Sequence, residues 1–452
     1  MPITPEEFSA RRAALCDAMG RTGVVLFLGH DHAGTTYPQN PYPFVQESSF
    51  RYFFGLDEPG AAGIIDCTAG TATLYGHEPD LDSVIWDGDL PPLAARAAPF
   101  GELEVASSAR LDADLAAHDD LHTLPPTRGR QQLRLRSLGV EGPSMALVAA
   151  VVRLRERKSA DELAEIATAV DRASALHHIA FAEATPGRTE GEIVRAMHAH
   201  AAARGWTTSY APVFSVRGEV LHNPHHHNEL RAGDLIVHDG GISSDWGYAS
   251  DITRTIPVSG TFTGEQRALY DIVLAAHDAV IAAVRPGLPY REMHDLAGRV
   301  ITEGLTEHGW MRGDVDASVE AGAFAAFLPH GVGHMLGLDV HDMEGIGEDH
   351  VGYDDTHRRS DRFGIANLRL GKRVEEGFVV TVEPGIYRIP PLLERLRTDD
   401  AVGPFLDVDA ALASDAIGGI RIEDVVAVGS DSARVLGEPI PSTADEIEAL
   451  VG

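Results

Sequence analysis

Five segments in the second half of the chain place carboxylates or imidazoles beside strand and turn signals. They are Leu235-Ile-Val-His-Asp239, Gly247-Tyr-Ala-Ser-Asp251-Ile-Thr-Arg-Thr255, the run from Pro329-His330 through His334 to His341-Asp342, Thr381-Val-Glu383-Pro-Gly-Ile-Tyr387, and Gly419-Ile-Arg421-Ile-Glu423-Asp424. Asp239, Asp251, Glu383 and Glu423 offer four carboxylates, and His334 offers one imidazole. Two divalent cations would bring about +4 against −4, the charge logic of a two-metal hydrolytic site. An oxygen-rich set with one histidine suits Mn, Co, Fe or Zn better than a thiol-dependent metal. A single Asp or Glu is ordinarily a solvated side chain. Five such groups in apolar or glycine-bounded contexts are harder to leave uncompensated, because an unpaired buried charge is costly.

Strands and turns must carry these residues. The first two segments read as strands joined by Gly241-Ile-Ser-Ser-Asp245-Trp246, a hairpin that sets Asp239 across from Asp251. Upstream, capping boxes open a series of helices. Ser159-Ala-Asp-Glu162 starts one that runs to about Ala184, and Thr189-Glu-Gly-Glu192 starts one to about Arg204. A strand-rich block follows over roughly 209–258. Thr263-Gly-Glu-Gln266 then caps a third helix, and a fourth covers about Tyr290–His308. Two helix pairs, each followed by strands, suggest an internal duplication of about 110 residues.

The first 150 or so residues read differently. An amphipathic helix over 5–19, a buried strand from Val24 to Gly29, and a hairpin turning at Cys67-Thr-Ala-Gly70 describe an α/β domain without a catalytic cluster. The expected division is 1–155 and 156–452. The chain has 452 residues, with 37 Lys+Arg against 68 Asp+Glu and a net charge of −31. Its two lysines are Lys158 and Lys372, so a polybasic groove for nucleic acid or anionic lipid is not expected. No apolar h-region opens the chain and no apolar run reaches the length of a membrane span. Two cysteines, Cys16 and Cys67, make no disulfide framework. A cytoplasmic protein is the expectation.

Other motifs carry less. In His225-His226-His227, adjacent side chains of an extended chain point apart, and the stretch reads as a surface loop. Gly331-Val-Gly333-His-Met-Leu-Gly337 lacks the spacing of a dinucleotide loop, and no Gly-x-Ser-x-Gly elbow is present.

The five ligand-bearing segments resemble the pita-bread metallopeptidases: methionine aminopeptidase, aminopeptidase P, prolidase and creatinase. The prolidase and aminopeptidase P branch fits best. The resemblance covers nearly the whole chain, since Phe44-Val-Gln-Glu-Ser-Ser-Phe50 and Gly55-Leu-Asp-Glu-Pro-Gly60 are similar to that branch's N-terminal domain. It implies an α/β N-terminal domain with a mixed sheet, serving dimerisation and as an active-site lid. An α+β pita-bread catalytic domain with pseudo-two-fold duplication would follow. It also implies that Asp239 chelates one metal, that Asp251 and Glu423 bridge both, and that His334 and Glu383 hold the other. Two divalent ions are expected, Mn²⁺ first, with Co²⁺, Fe²⁺ or Zn²⁺ as alternatives, around a bridging hydroxide. Asp239 and Asp251 stand one residue further apart than is usual in the family. We read the extra residue as a longer hairpin turn, because a mid-strand insertion would turn one Asp away.

By the same resemblance Glu383 takes the proton of the attacking water. His341 and His222 stabilise the oxyanion and the substrate's carboxylate end, and His330 orients a neighbour or the water. Tyr210 and Tyr387 line the proline pocket. Trp86 is similar to a tryptophan that reaches the neighbouring subunit's active site, which implies a homodimer. Arg369, fourteen residues before Glu383, matches an arginine that pairs with the dipeptide carboxylate in prolidases. The forty residues from Glu383 to Glu423 resemble the long prolidase connection, and Arg421 would support the site or a substrate carboxylate. The expected activity is therefore that of an Xaa-Pro dipeptidase acting on proline-containing di- or oligopeptides, with aminopeptidase P as the alternative. Arg358, Arg359 and Arg362, in the long 345–363 segment, are rival anchors that read as a charged surface loop. A silent binding module is disfavoured because all five ligands are present.

Overall fold

Short strands separated by helices in the first third of the sequence assemble into one mixed sheet. The computed structural model describes residues 3–118 and 120–451. The chain divides into two compact units: Met1–Glu156 with Met343–His350, and Arg157–Asp342 with Val351–Gly452.

In the first unit the strands are β1 (Val24–Leu28), β2 (Ala62–Asp66), β3 (Thr71–Gly76), β4 (Glu104–Ser107) and β5 (Leu121–Thr123). Their order is β4-β3-β2-β1-β5. The β1–β2 and β2–β3 pairs are antiparallel, while β1–β5 and β3–β4 are parallel. The helix Pro5–Ala18 departs from a simple amphipathic pattern, since its buried side carries Arg11 and Arg12 as well as Phe8 and Leu15. Those guanidiniums are tolerated because they donate to backbone carbonyls, Arg11 to Tyr52 O (3.1 Å) and Arg12 to Phe53 O (2.7 Å) and Phe100 O (2.9 Å).

The second unit repeats one pattern. Helices Ala160–Glu183 and Glu190–Ala202 precede β6 (Thr207–Thr208), β7 (Val213–Ser215), β8 (Leu235–Asp239), β9 (Ile242–Ser243) and β10 (Thr253–Pro257). Helices Gly264–Ala283 and Tyr290–His308 precede β11 (Val379–Val382), β12 (Gly385–Tyr387), β13 (Gly419–Arg421), β14 (Asp424–Val428) and β15 (Ala433–Val435). The capping boxes at Ser159/Glu162, Thr189/Glu192 and Thr263/Gln266 are all formed. Each half contributes a three-stranded sheet, β10-β8-β7 and β11-β14-β15. The halves meet where Thr253 and Glu423 form an antiparallel bridge.

The β8–β10 hairpin carries the first two carboxylates, with a register that differs from the simple expectation. Asp239 pairs with Thr253, not with Asp251. Side chains two residues apart share a face of an extended strand, so Asp251 still points to the side of Asp239. The ladder runs unbroken from Leu235–Pro257 to Asp239–Thr253. Beyond it Ile242 and Ser243 pair with Thr208 and Thr207, and Ser244 N donates to Tyr248 O across a turn that contains Gly247 at φ 82°. The connection is thus a two-tier hairpin whose irregularity lies outside the β8–β10 ladder.

Candidate metal centre

β8 ends at Asp239, β10 begins two residues after Asp251, and Glu423 lies between β13 and β14. Thr253 ties the last to the hairpin: Thr253 Oγ1 donates to Glu423 Oε2 (2.7 Å), and Glu423 N donates to Thr253 O (3.0 Å). His334 comes from the other side. Its segment pairs with β11, since Thr381 N donates to His334 O (3.0 Å) and Glu383 N donates to Val332 O (2.9 Å). That approach needs Gly333, because a Cβ there would lie 2.0 Å from Thr381 O.

Ligand atoms of Asp251, His334 and Glu423 all lie within 4.8 Å of one another. His334 Nε2 is 3.4 Å from Asp251 Oδ2 and 3.6 Å from Glu383 Oε1. Its Nδ1 donates to Met335 O (3.0 Å), which leaves Nε2 facing the carboxylates. Asp239 stands at the edge of this group. Its Oδ2 accepts from Arg421 Nη2, and the Tyr210 hydroxyl lies within hydrogen-bond distance of both Asp239 Oδ1 and Asp251 Oδ1. All five residues line one cavity of about 250 Å³, together with His222, His330, His341, Asn367, Arg369 and Arg421.

The charge state of this cavity fits divalent cations. Burial, then the neighbouring charges of Asp251, Glu383 and Asp239, push the Glu423 carboxyl well above its usual range. Burial raises Glu383 to about 7, against the pull of His334 and Arg421. Burial would lower His334, but the hydrogen bond to Asp251 and the charge of Glu383 outweigh it and raise the imidazole to about 9. Crowded buried carboxylates that draw a proton onto the one histidine among them are asking for positive charge. Oxygen donors with a single imidazole are what Mn²⁺, Co²⁺, Fe²⁺ or Zn²⁺ accept.

The remaining expected residues are distributed as follows. His341 stands edge-on to His334, ring centroids 4.3 Å apart, and burial followed by the charges of His334 and Arg369 lowers it to about 3. The following residue, Asp342, forms a fully buried ion pair with Lys158 (2.9 Å). His222 is exposed at the cavity rim, and the next residue, Asn223, is tied to Ser215 Oγ (2.9 Å). His330 Nδ1 donates to Gly331 O (2.8 Å) and stands 3.6 Å from Glu383 Oε2. Its Nε2 is 2.9 Å from the Tyr387 hydroxyl, which accepts from Arg421 Nη1 (2.8 Å). A chain His330–Tyr387–Arg421–Asp239 therefore runs behind the cavity.

Tyr387 is fully buried, with its hydroxyl taken up between His330 and Arg421. The Tyr210 hydroxyl serves Asp239 and Asp251. Trp86 belongs to the first unit, on helix Leu81–Asp87, and is 83% exposed beside exposed Leu81 and Ile85. His225 and His227 are exposed, while His226 Nε2 contacts Pro212 O (3.1 Å).

Sequence reasoning missed Arg254, which is completely buried. Its five N–H groups reach Thr253 O, Glu423 O, Asp424 Oδ1, Ile440 O and Pro441 O at 2.7–2.9 Å. The signal was an arginine inside Ile252-Thr-Arg-Thr-Ile256, a stretch otherwise fit for a buried strand.

Residues 164–430 match the metallopeptidase family M24, and residues 8–121 match the N-terminal domain of aminopeptidase P. The chain belongs to metallopeptidase family M24. Among relatives of this M24 enzyme, Xaa-Pro dipeptidase of Homo sapiens is 30% identical over 98% of this chain and 93% of its own. Xaa-Pro aminopeptidase of Escherichia coli is 30% identical over 99% of this chain and 98% of its own. A solved structure, zinc-substituted E. coli aminopeptidase P in complex with product, superimposes with a TM-score of 0.82 at 28% identity. It covers 100% of this chain and 98% of that one. The pita-bread fold and the preceding α/β domain are thus those of the M24 branch that holds prolidase and aminopeptidase P. Among the described residues no helix is long and apolar enough to cross a membrane.

Proposed function

We propose that this M24 metallopeptidase hydrolyses Xaa-Pro bonds and is an Xaa-Pro dipeptidase. Asp239, Asp251, His334, Glu383 and Glu423 would hold two divalent ions, Mn²⁺ being the first to test. Bound there, such ions supply an acidified water and a polarised carbonyl. Glu383, 3.6 Å from both His334 and His330, takes the proton of the attacking water. His341 and His222 donate to the oxyanion and the substrate's carboxylate end. His330 is held by Gly331 and Tyr387 as an orienting group.

The observation that carries the dipeptidase reading is Arg369 in the wall of the same small cavity as the ligands. A guanidinium there matches the free carboxylate of a dipeptide and disfavours a chain that continues past proline. The exposed Leu81, Ile85 and Trp86 support a homodimer built through the N-terminal domain, 1–155, with 156–452 as the catalytic domain. Buried free Cys16 and Cys67 support a cytoplasmic location.

Aminopeptidase P is the second reading, favoured by equal 30% identity to the E. coli enzyme and by the aminopeptidase P structure the chain matches. Hydrolysis of Gly-Pro beside Arg-Pro-Pro, with Mn²⁺ and with chelator, separates the two. Cleavage of the dipeptide alone supports the first reading, and preferred cleavage of the longer peptide supports the second. Cleavage of neither, with metal bound, removes both.

A further inference from the structure

The loop from Tyr353 to Leu368 is fastened at one backbone atom. Leu368 O accepts from the Tyr353 hydroxyl (2.7 Å) and from Arg359 Nη1 (3.0 Å). The same Nη1 donates to Ala366 O (3.3 Å), and the guanidinium lies over the Tyr353 ring, 4.8 Å from its centroid. The loop's near end is closed by Asp354 Oδ1, which accepts from the backbone N–H of Thr356 (2.8 Å) and His357 (2.6 Å).

The residue after Leu368 is Arg369. Its own carbonyl rests on Gly352, where a Cβ would lie 1.7 Å from Arg369 O. Gly371 N and Lys372 N both donate to Gly352 O, at 2.8 and 2.9 Å. The Leu368 side chain packs against Gly331, beside His330. The peptide before Arg369 is therefore held by Tyr353 and Arg359, and the peptide after it by Gly352. The other arginines of the loop are engaged elsewhere: Arg362 Nη1 donates to Glu320 O (2.8 Å), and exposed Arg358 pairs with Asp355 (3.3 Å).

We propose that Tyr353 and Arg359 are positioning residues that place Arg369 and so set the preference for substrates with a free carboxylate on proline. This rests on the reading of Arg369 as the carboxylate-binding residue. A guanidinium fork discriminates by angle as well as distance, so the backbone that aims it governs its affinity. Neither positioning residue lines the catalytic cavity, so the effect falls on substrate binding and not on the chemical step.

The test is steady-state kinetics of the Mn²⁺-loaded full-length enzyme on Gly-Pro and on Gly-Pro amide, which keeps the scissile bond and lacks the carboxylate. The variants are Arg359→Met, Arg359→Lys, Tyr353→Phe and Arg369→Met. Losing the hydrogen bonds of Arg359 should raise KM for Gly-Pro about tenfold with kcat within about twofold. The kcat/KM for the amide should stay unchanged, and Arg359→Lys should recover part of the loss. Tyr353→Phe removes a single hydroxyl and should show the same split at about threefold, which tests the idea even if Arg359→Met folds poorly. In an Arg369→Met background, Arg359→Met should add nothing. The proposal is overturned if Arg369→Met discriminates the two substrates while Arg359→Met and Tyr353→Phe do not. It is also overturned if Arg359→Met lowers kcat equally on both. If Arg369→Met itself fails to discriminate, the reading of Arg369 falls first and takes the proposal with it.

Discussion

Arg254 donates a 2.8 Å hydrogen bond to the backbone carbonyl of Glu423, and so fixes the strand end that presents a candidate metal ligand. With Thr253 bonded to the Glu423 side chain, the two halves of the second unit are stitched together at the candidate metal-binding residues themselves.

Replacing Arg254 with Met should therefore destabilise the protein strongly. It leaves Asp424 with His277 (3.2 Å) and takes the guanidinium donors away from Ile440 O and Pro441 O. Breaking a buried ion pair in this way costs about 3–5 kcal/mol, readable as a shift in the urea unfolding midpoint. Arg254→Lys should recover little, because three ammonium donors cannot reach five acceptors.

Arg421 acts on the first candidate ligand, Asp239. Its Nη2 bonds Asp239 and its Nη1 bonds Tyr387. Arg421→Met should release the Asp239 carboxylate from its orientation and lower Mn²⁺ affinity by about 10–100-fold, measured by titration calorimetry. Tyr387→Phe, which interrupts the same chain one residue away, should have a smaller effect in the same direction.

Much of this architecture was legible because it is local. Capping boxes at Ser159, Thr189 and Thr263 depend on residues three apart, and all three helices start there. The ligand-bearing segments were visible because charged residues interrupt apolar, glycine-bounded stretches. What was hidden depends on long-range partners. Nothing beside Lys158 in the sequence points to its buried partner Asp342, and nothing beside Arg254 points to the carbonyls of Ile440 and Pro441. The helix Gly129–Ser137 was missed because only Leu133 and Leu135 are apolar in it, too few to show a helical stripe. The expected pairing of Asp239 with Asp251 was off by two residues, because the chain beyond Asp239 leaves the β8–β10 ladder and pairs with Thr207–Thr208.

His294 predicts an acid limb of stability. It is fully buried against Phe324, with Nε2 donating to Gly364 O (2.7 Å). Burial lowers its pKa from 6.5 to about 4. Below pH 6.5 the unfolded chain binds this proton more readily than the folded one, so stability falls with pH and levels off near pH 4. Between pH 7 and pH 5 this group should cost about 2 kcal/mol in urea unfolding, and His294→Gln should flatten the slope by that amount.

Under the proposed function, Asp251 and Glu423 share metal ions that hydrolysis of Xaa-Pro bonds requires. The direct measurement is metal content and Gly-Pro and Arg-Pro-Pro hydrolysis on the same preparations of wild type, Asp251→Asn and Glu423→Gln, before and after chelation. Wild type should hold about two divalent ions per chain, lose cleavage on chelation and regain it on adding Mn²⁺, and both variants should be deficient in metal and activity. Full cleavage by the chelated protein, or by variants that bind no metal, would contradict the proposed function.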